Sequence, residues 1–348
     1  MPGRISIISP CRNERDYIRG FVESLLAQEV PPGWELEVLI ADGMSDDGTR
    51  AILDEFAGGN PGLRVVSNPG RIVSCGLNAA IREASGDVIV RMDAHTTYAS
   101  DYVRSCLETL ERTGADNVGG PWRASGESRL QSAIALVSHS PFATGGARSH
   151  RLEHEGEVDT VYLGCWRKEV FERVGLFDEE LVRNQDDELN LRITRSGGRI
   201  WQSPTIRSCY YPRSSLASLF AQYKQYGYWK VRVIQKHKLP ASIRHLVPGG
   251  FVLTLLGLAV LGLFWSPALV LLALAIGAYA VADLAASVHT CWMAGSFRYL
   301  AVLPIVFAAY HFGYGYGFLR GVIDFLLLRR GSAASFSAIT RGSSRGAT

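Results

Sequence analysis

Through the first 240 residues, short runs of Ile, Val and Leu alternate with longer stretches whose apolar residues recur at helical spacing. The run at 5–9 (ISIIS) is followed by 16–29, where Tyr17, Ile18, Phe21, Val22, Leu25 and Leu26 fall on one helical face. The runs at 36–40 (LEVLI), 63–66 (LRVV) and 87–92 (DVIVRM) lead to helical patterns over about 47–57, 74–84 and 100–112. Ser100 is the expected N-cap of the last. A further helix is expected over 167–174, and another opens at RNQDDELNLR and closes at Gly197 and Gly198. This alternation predicts an α/β fold, Rossmann-like and doubly wound on a mainly parallel sheet. Ligands of such sheets bind beyond the carboxyl ends of the strands.

The pattern changes after residue 240. From His245 to Leu319 the only charged residues are Asp283 and Arg298, a composition suited to a bilayer. Residues 247–265 and 267–288 are each long enough to cross about 30 Å of hydrocarbon as helix. Only Ser266 separates them, which predicts a hairpin. A third apolar stretch, 299–318, is interrupted by Pro304 and HFGYGYG and flanked by Arg320, Arg329 and Arg330. Basic residues before 245 mark the cytoplasmic side, so a third crossing would put those arginines outside; the segment spans or is re-entrant.

Between the two patterns, 215–244 mixes aromatic and aliphatic residues with Lys and Arg, as a helix at the headgroup level would, or an ordinary surface helix. The expected organisation is therefore a first domain over 1–214, an amphipathic interfacial linker over 215–244 and membrane helices over 245–328. A small, polar, disordered tail is expected over 331–348.

Composition narrows the class. A net charge of +3, evenly mixed along the first 240 residues, gives no electrostatic footprint for nucleic acid. The six cysteines form no C-x-x-C pair and suggest neither a zinc site nor a disulfide framework. The opening MPGRISIISP has no signal-peptide core, so the N-terminal part is expected in the cytoplasm, on a multi-pass protein of the inner or plasma membrane.

Polar residues collect at the strand ends: Arg12, Asn13 and Glu14 after the first, Asp42 and Asp47 after the second, Asp93 and His95 after the fourth. None follows dinucleotide or P-loop glycine spacing. Arg71 and Asn78, at the start of the third helix, suit a pyrophosphate, although Arg71 is equally readable as a solvated loop charge. Asp47, before Gly48 and Thr49, reads as a cap of the second helix, and Glu188 with Arg192 as an i,i+4 pair.

Five segments in order, ISIISPCRNE, ADGMSDDGT, CGLNAAIREASGDVIVRMDAH, YLGCWRKEVFERVGLFDEE and QDDELNLRITRSGGRI, resemble family 2 glycosyltransferases with the GT-A fold. With MDAH, QYGYWK and the apolar tail, the chain further resembles bacterial glucosyltransferases of succinoglycan and exopolysaccharide biosynthesis. The resemblance implies a nucleotide-sugar-binding domain followed by a helical membrane region. It also implies inverting transfer from a UDP-sugar, UDP-glucose by the narrower likeness, to a lipid-linked saccharide, with Mn²⁺ or Mg²⁺ as cofactor and membrane lipids as surroundings.

By the same resemblance Pro10, Glu14 and Asp42 hold uridine, Asp93 is the metal carboxylate and Asp186 is the base. His95 stands where relatives carry a second Asp: as a metal ligand it favours Mn²⁺, and it could instead bind phosphate or be structural. Gly164, Cys165 and Trp166 align with the segment lining the sugar and acceptor pocket, where Trp166 could stack on a pyranose or be plain core. Gln225 and Trp229 fit the Q-x-x-R-W signature of processive synthases, but Tyr228 replaces its Arg. That departure and the few spans favour single-sugar addition over a processive polysaccharide synthase, and the intact Asp42, Asp93 and Asp186 favour it over a non-catalytic nucleotide-sugar-binding subunit.

Overall fold

The computed structural model describes residues 3–337, which divide into two compact units, one built from 3–123 and 148–210, the other from 124–147 and 211–337. The first unit begins with β1 (Gly3–Cys11), α1 (Arg15–Leu26), β2 (Trp34–Asp42), α2 (Thr49–Gly59), β3 (Leu63–Ser67) and α3 (Val73–Glu83). It continues with β4 (Val88–Arg91), β5 (Thr96–Tyr98), α4 (Tyr102–Thr113) and β6 (Asn117–Gly120). After α5 (Arg129–Ser138) and α6 (Pro141–Thr144) of the second unit, the chain returns with β7 (Gly156–Glu157), β8 (Tyr162–Arg167) and α7 (Glu169–Val174). The first unit ends with α8 (Gln185–Arg195), β9 (Ile200–Gln202) and β10 (Ser208–Tyr210). The second unit is completed by α9 (Leu216–His237), α10 (Val247–Leu261), α11 (Pro267–Met293), α12 (Leu303–Gly321) and α13 (Ala334–Ser337).

An eight-stranded sheet in the order β3-β2-β1-β4-β8-β6-β9-β7 forms the first unit. Its β3-β2-β1-β4 half is parallel throughout, whereas β8 runs antiparallel to both β4 and β6. The sheet is mainly parallel, as expected, with β8 and β7 as its antiparallel members. Strand alternation sorts two cores: Ile5, Ile7, Val38 and Ile40 face Ile18, Phe21, Val22 and Leu107, while Ile8, Leu39, Ala41 and Ile89 face Leu77, Ile81, Leu189 and Ile193. Helix α4 starts one residue later than expected, with Asp101 at its N-cap, because the Ser100 hydroxyl donates to Glu29 instead.

At the amino end of this parallel half, the largely buried Glu37 carboxylate ties three segments. It accepts from the Ser6 hydroxyl at 2.5 Å, the Ser85 amide at 2.6 Å and the Gly86 amide at 3.1 Å, and pairs with Arg64 at 3.4 Å. Burial pushes this carboxyl up, but the bonds from Ser6 and Ser85 and the Arg64 charge outweigh it and hold the acid below its ordinary value. The stabilisation is therefore present above the unfolded carboxyl's pKa and is lost as pH falls through the folded one. Glu37→Ala is expected to destabilise the fold by about 2–3 kcal/mol. The deficit should shrink on acidification in denaturant melts across pH, and a deficit independent of pH would refute the linkage.

The second unit departs further from expectation. A single boundary at residue 214 does not describe the fold, because Ala133, Ile134 and Val137 of α5 share one apolar cluster with Leu303, Val306, Phe307 and Tyr310 of α12. The segment 215–244 is not simply an interfacial linker. Along α9, residues Leu219, Tyr228, Trp229, Val231 and Val233 are buried. The Tyr223 ring packs on Tyr310 at 3.8 Å between centroids, and Tyr228 stacks on Phe336 at 4.1 Å. These aromatic rings are engaged by protein.

Nor is the third apolar segment interrupted. Pro304 lies in the first turn of α12, where its missing N–H costs nothing, and the HFGYGYG glycines lie within the helix. Gly313, Gly317 and Gly321, four apart, meet the backbone of Phe220, Lys224 and Tyr228 on α9, so the two helices run in the same direction at close approach. A Cβ at Gly321 would lie 2.7 Å from the Tyr228 carbonyl, and one at Gly317 would collide with that of Lys224. Gly317→Ile is expected to cost about 3 kcal/mol, read as a lower melting temperature in detergent. An unchanged melting temperature would refute the close-packing account.

The expected disordered tail is ordered through residue 337: Phe336 is buried, and its carbonyl accepts from the Trp229 indole at 3.0 Å. Residues 338–348 lie outside the described residues. Two helices, Ile243–Leu261 and Pro267–Met293, are long and apolar enough to cross a membrane, with mean hydropathies of 1.6 and 2.2. Their exposed surface carries Leu253, Leu256, Val260, Leu269 and Val270. Helix α12 is not one of these two.

Candidate active site

The loops at the carboxyl ends of β1 and β2 are zipped together. The Asn13 side chain donates to Asp46 at 2.9 Å and accepts from the Asp46 amide at 3.1 Å, while the Asn13 amide reaches Ser45 Oγ at 2.9 Å. Asp47 accepts from the Thr49 amide, as a cap should, and from the Arg15 amide. Asn13, Met44, Arg71 and Asn184, all in loops or caps at the carboxyl ends of strands and the start of α8, have φ between 55° and 62°. Such strain collects at functional sites.

On this platform Pro10 and Arg12 are half-buried, and Asp42, at the end of β2, is buried. The Asp42 carboxylate accepts from the Ser45 amide only at 3.3 and 3.4 Å, with Arg50 at 4.0 Å. Glu14 is at the N-cap of α1 and its Oε1 lies 2.7 Å from His95 Nε2. Arg71 lies exposed in the loop before α3.

Arg91 closes β4, where it pairs in register with Ile8. Its guanidinium grips Asp93 with two bonds, Nε to Oδ1 at 2.9 Å and Nη2 to Oδ2 at 2.8 Å, while Nη1 donates to Asp186 Oδ1 at the start of α8. The Arg91 side chain is 5% exposed, those of Asp93 and Asp186 are 29% and 37%. One buried cation thus joins its near neighbour Asp93 to Asp186, a half-open carboxylate 95 residues further along the chain than Arg91. Partial desolvation by the surrounding protein pushes the Asp186 carboxyl up; Arg91 opposes this, and Asp93 and Asp187 add to it. The Tyr98 hydroxyl accepts from the Asp93 amide at 2.6 Å and donates to the Asp93 carbonyl at 3.0 Å, and Tyr162 bonds Thr96 at 2.6 Å. Trp122 packs on Tyr162 and Tyr210 beside this clamp, at 4.5 and 4.6 Å.

Sequence reasoning missed Arg91, Tyr98, Tyr162 and Trp122. The one available signal was the charge of Arg91 inside an otherwise apolar strand. Several expected residues do other work. Asn78 is buried and wholly engaged: its amide donates to the Phe177 carbonyl at 2.8 Å and to Glu179 at 2.9 Å, and its oxygen accepts from the Phe177 amide. Trp166 is core, packed on Phe171 and Phe177 at 5.5 and 6.1 Å, so no pyranose can stack on it. Cys165 is buried in the opposite core, and Gly164, at φ 115°, leaves room for the Trp166 ring. Gln225 and Trp229 are buried inside the second unit. Glu188 pairs with Arg192 at 2.8 Å, as expected.

Among the described residues no three His, Cys, Asp or Glu side chains gather into a metal cage. A hard cation also binds through one carboxylate together with a substrate's phosphates, and the half-open Asp93 fits that use. His95 turns Nε2 to the Glu14 carboxylate, which leaves Nδ1 as the ring nitrogen available to a cation. A carboxylate behind an imidazole is the usual support of a metal-bound histidine.

Residues 6–175 match the family model described as glycosyl transferase family 2. The chain is 33% identical over 324 residues to the succinoglycan biosynthesis protein ExoA of Rhizobium meliloti, covering 92% of this chain and 95% of that one. It is 29% identical to a dolichyl N-acetyl-α-D-glucosaminyl phosphate 3-β-D-2,3-diacetamido-2,3-dideoxy-β-D-glucuronosyltransferase of Methanococcus voltae, over 92% and 97% of the two chains. Its fold is that of the Pyrobaculum calidifontis mannosyltransferase PcManGT, solved with GDP-Man and Mn²⁺, at a TM-score of 0.59 and 20% identity over 92% and 88% of the chains. A GT-A sheet with carboxylates at its strand ends and a relative this similar along nearly its whole length have one reading: the chain belongs to glycosyltransferase family 2.

Proposed function

We propose that this protein is an inverting, metal-dependent glycosyltransferase. It moves a hexose, glucose from UDP-glucose, onto a polyprenyl-diphosphate-linked saccharide at the cytoplasmic membrane face during exopolysaccharide assembly. The observation that carries the reading is the Asp93–Arg91–Asp186 bridge, which holds two half-open carboxylates on one guanidinium at the strand ends. Asp42, loosely held by its own turn, accepts from the uracil N–H, with Pro10, Arg12 and Glu14 shaping the nucleotide cleft and Arg71 meeting the pyrophosphate. Asp93, with His95 beside it, would hold Mn²⁺ or Mg²⁺, whose chemistry is to neutralise the departing diphosphate. Asp186 takes the acceptor hydroxyl's proton as that oxygen attacks the anomeric carbon from the face opposite the diphosphate.

The α10–α11 hairpin, exposing leucines and valines along its length, anchors the protein in lipid, where such an acceptor resides. The homologue named for succinoglycan biosynthesis supports the exopolysaccharide setting. The test is transfer by purified protein in detergent from labelled UDP-glucose, UDP-galactose and GDP-mannose into a lipid extract. Label from UDP-glucose alone is expected, and label from GDP-mannose alone would overturn the donor. With wild type, Mn²⁺ should give about tenfold more activity than Mg²⁺, and His95→Ala should erase that preference. Equal activity of wild type with both ions would remove His95 from the metal site.

A further inference from the structure

We propose that Arg91 is a positioning residue that holds the proposed metal carboxylate, Asp93, and the proposed base, Asp186, at a fixed separation, so that donor and acceptor meet in register. The inference rests on the reading of Asp93 and Asp186 given above, and it concerns a residue that touches neither sugar. Three of the guanidinium's five N–H groups are committed to the two carboxylates: two to Asp93 at 2.9 and 2.8 Å, one to Asp186. A planar, rigid fork converts three bonds into one spacing, which a flexible ammonium on a Lys stem cannot reproduce.

The strut is itself fixed. Arg91 is the last residue of a strand paired on both sides, with β1 and β8, and its side chain is buried. The Asp93 backbone is held from the other side by the Tyr98 hydroxyl. Asp186 is held by its side chain through Arg91: it stands in the first turn of α8, whose N-cap, Asn184, has φ 62° and gives no side-chain cap bond. The base is therefore located through Arg91. Reacting groups displaced by about 1 Å lose on the order of 10²-fold in rate, and that is the loss expected when the fork is replaced.

The experiment is a double-mutant cycle on full-length protein in detergent with Arg91→Lys, Asp186→Asn and their combination, following kcat, KM for UDP-glucose, UDP affinity and melting temperature. Arg91→Lys is expected to lower kcat about 10²-fold while KM and UDP affinity change by less than about threefold. In the double variant no further loss beyond Asp186→Asn should appear, since a residue acting through the base has nothing left to position. A residue serving only the fold would lower the melting temperature and slow both backgrounds alike. If Arg91→Lys alone does not fold, the double variant, lacking the Asp186 charge, carries the same comparison against Asp186→Asn. A double variant slower by the product of the single losses, or Arg91→Lys within threefold of wild type, overturns the proposal while the base assignment stands. Full transfer by Asp186→Asn overturns the base assignment and the role of Arg91 with it.

Discussion

Asp186→Asn is expected to lower kcat by about 10²–10⁴-fold, with KM for the donor nearly unchanged. An amide of the same shape can still accept the bond from Arg91, so what is removed is the capacity to take a proton. The location of the residue makes the loss separable from misfolding. Partial desolvation by the surrounding protein disfavours the charged carboxylate, and Asp93 and Asp187 disfavour it further against the pull of Arg91. A neutral side chain is then tolerated there, and the melting temperature should not fall. The same raised pKa places the acid limb of the kcat profile above the ordinary Asp range, because a base must be ionised to act and ionisation here requires higher pH. Single-turnover transfer across pH checks both statements. A variant with wild-type rate would remove Asp186 from the chemistry.

The second large effect is at Asp93. Asp93→Asn is expected to lower kcat/KM by about 10²–10³-fold or more, through weaker donor binding as well as slower transfer. Calorimetric titration of UDP gives the direct reading. Wild-type protein should bind UDP more tightly with Mn²⁺ than without, and the variant should bind it equally in both. Retained enhancement by Mn²⁺ would assign the ion to another side chain. Arg91 bears on this result, since it already donates a bond to each Asp93 oxygen. The carboxylate's remaining lone pairs are what an ion could use, which suits a cation that completes its shell on the donor's diphosphate.

Most of the first unit was legible because local rules and tertiary structure agree there. Alternating Ile7 and Ile8, or Leu39 and Ile40, can bury both faces only in a sheet covered by helices on each side, and the helices between them supply those covers. The antiparallel entry of β8 carries no such signature, since YLGCWR reads alike in either direction. Trp166 illustrates the limit at the site. Its segment matches a pocket-lining motif, yet strand alternation sends its ring into the core opposite Cys165, and a motif does not record which face a residue takes.

The second unit was less legible because the same glycines serve two opposite readings. In HFGYGYG they weaken an isolated helix, and that propensity suggested an interruption. Packed against α9, Gly313, Gly317 and Gly321 admit a neighbouring backbone, and the contacts so gained exceed the local cost. Likewise the small, polar sequence of the tail does not announce that Phe336 finds a slot against Tyr228 and Trp229.

The amino-acid sequence by itself determined the strand and helix pattern of the first unit, the apolar hairpin, and the carboxylates offered at the strand ends, since each follows from spacing over a few residues. Only the tertiary structure decided which of them meet. Arg91, Asp93 and Asp186 form one bridge across 95 residues, Glu14 takes His95, and Asn78 turns to Phe177 and Glu179. Hydrogen bonds and ion pairs act over a few ångströms in space, and separation along the chain says nothing about them.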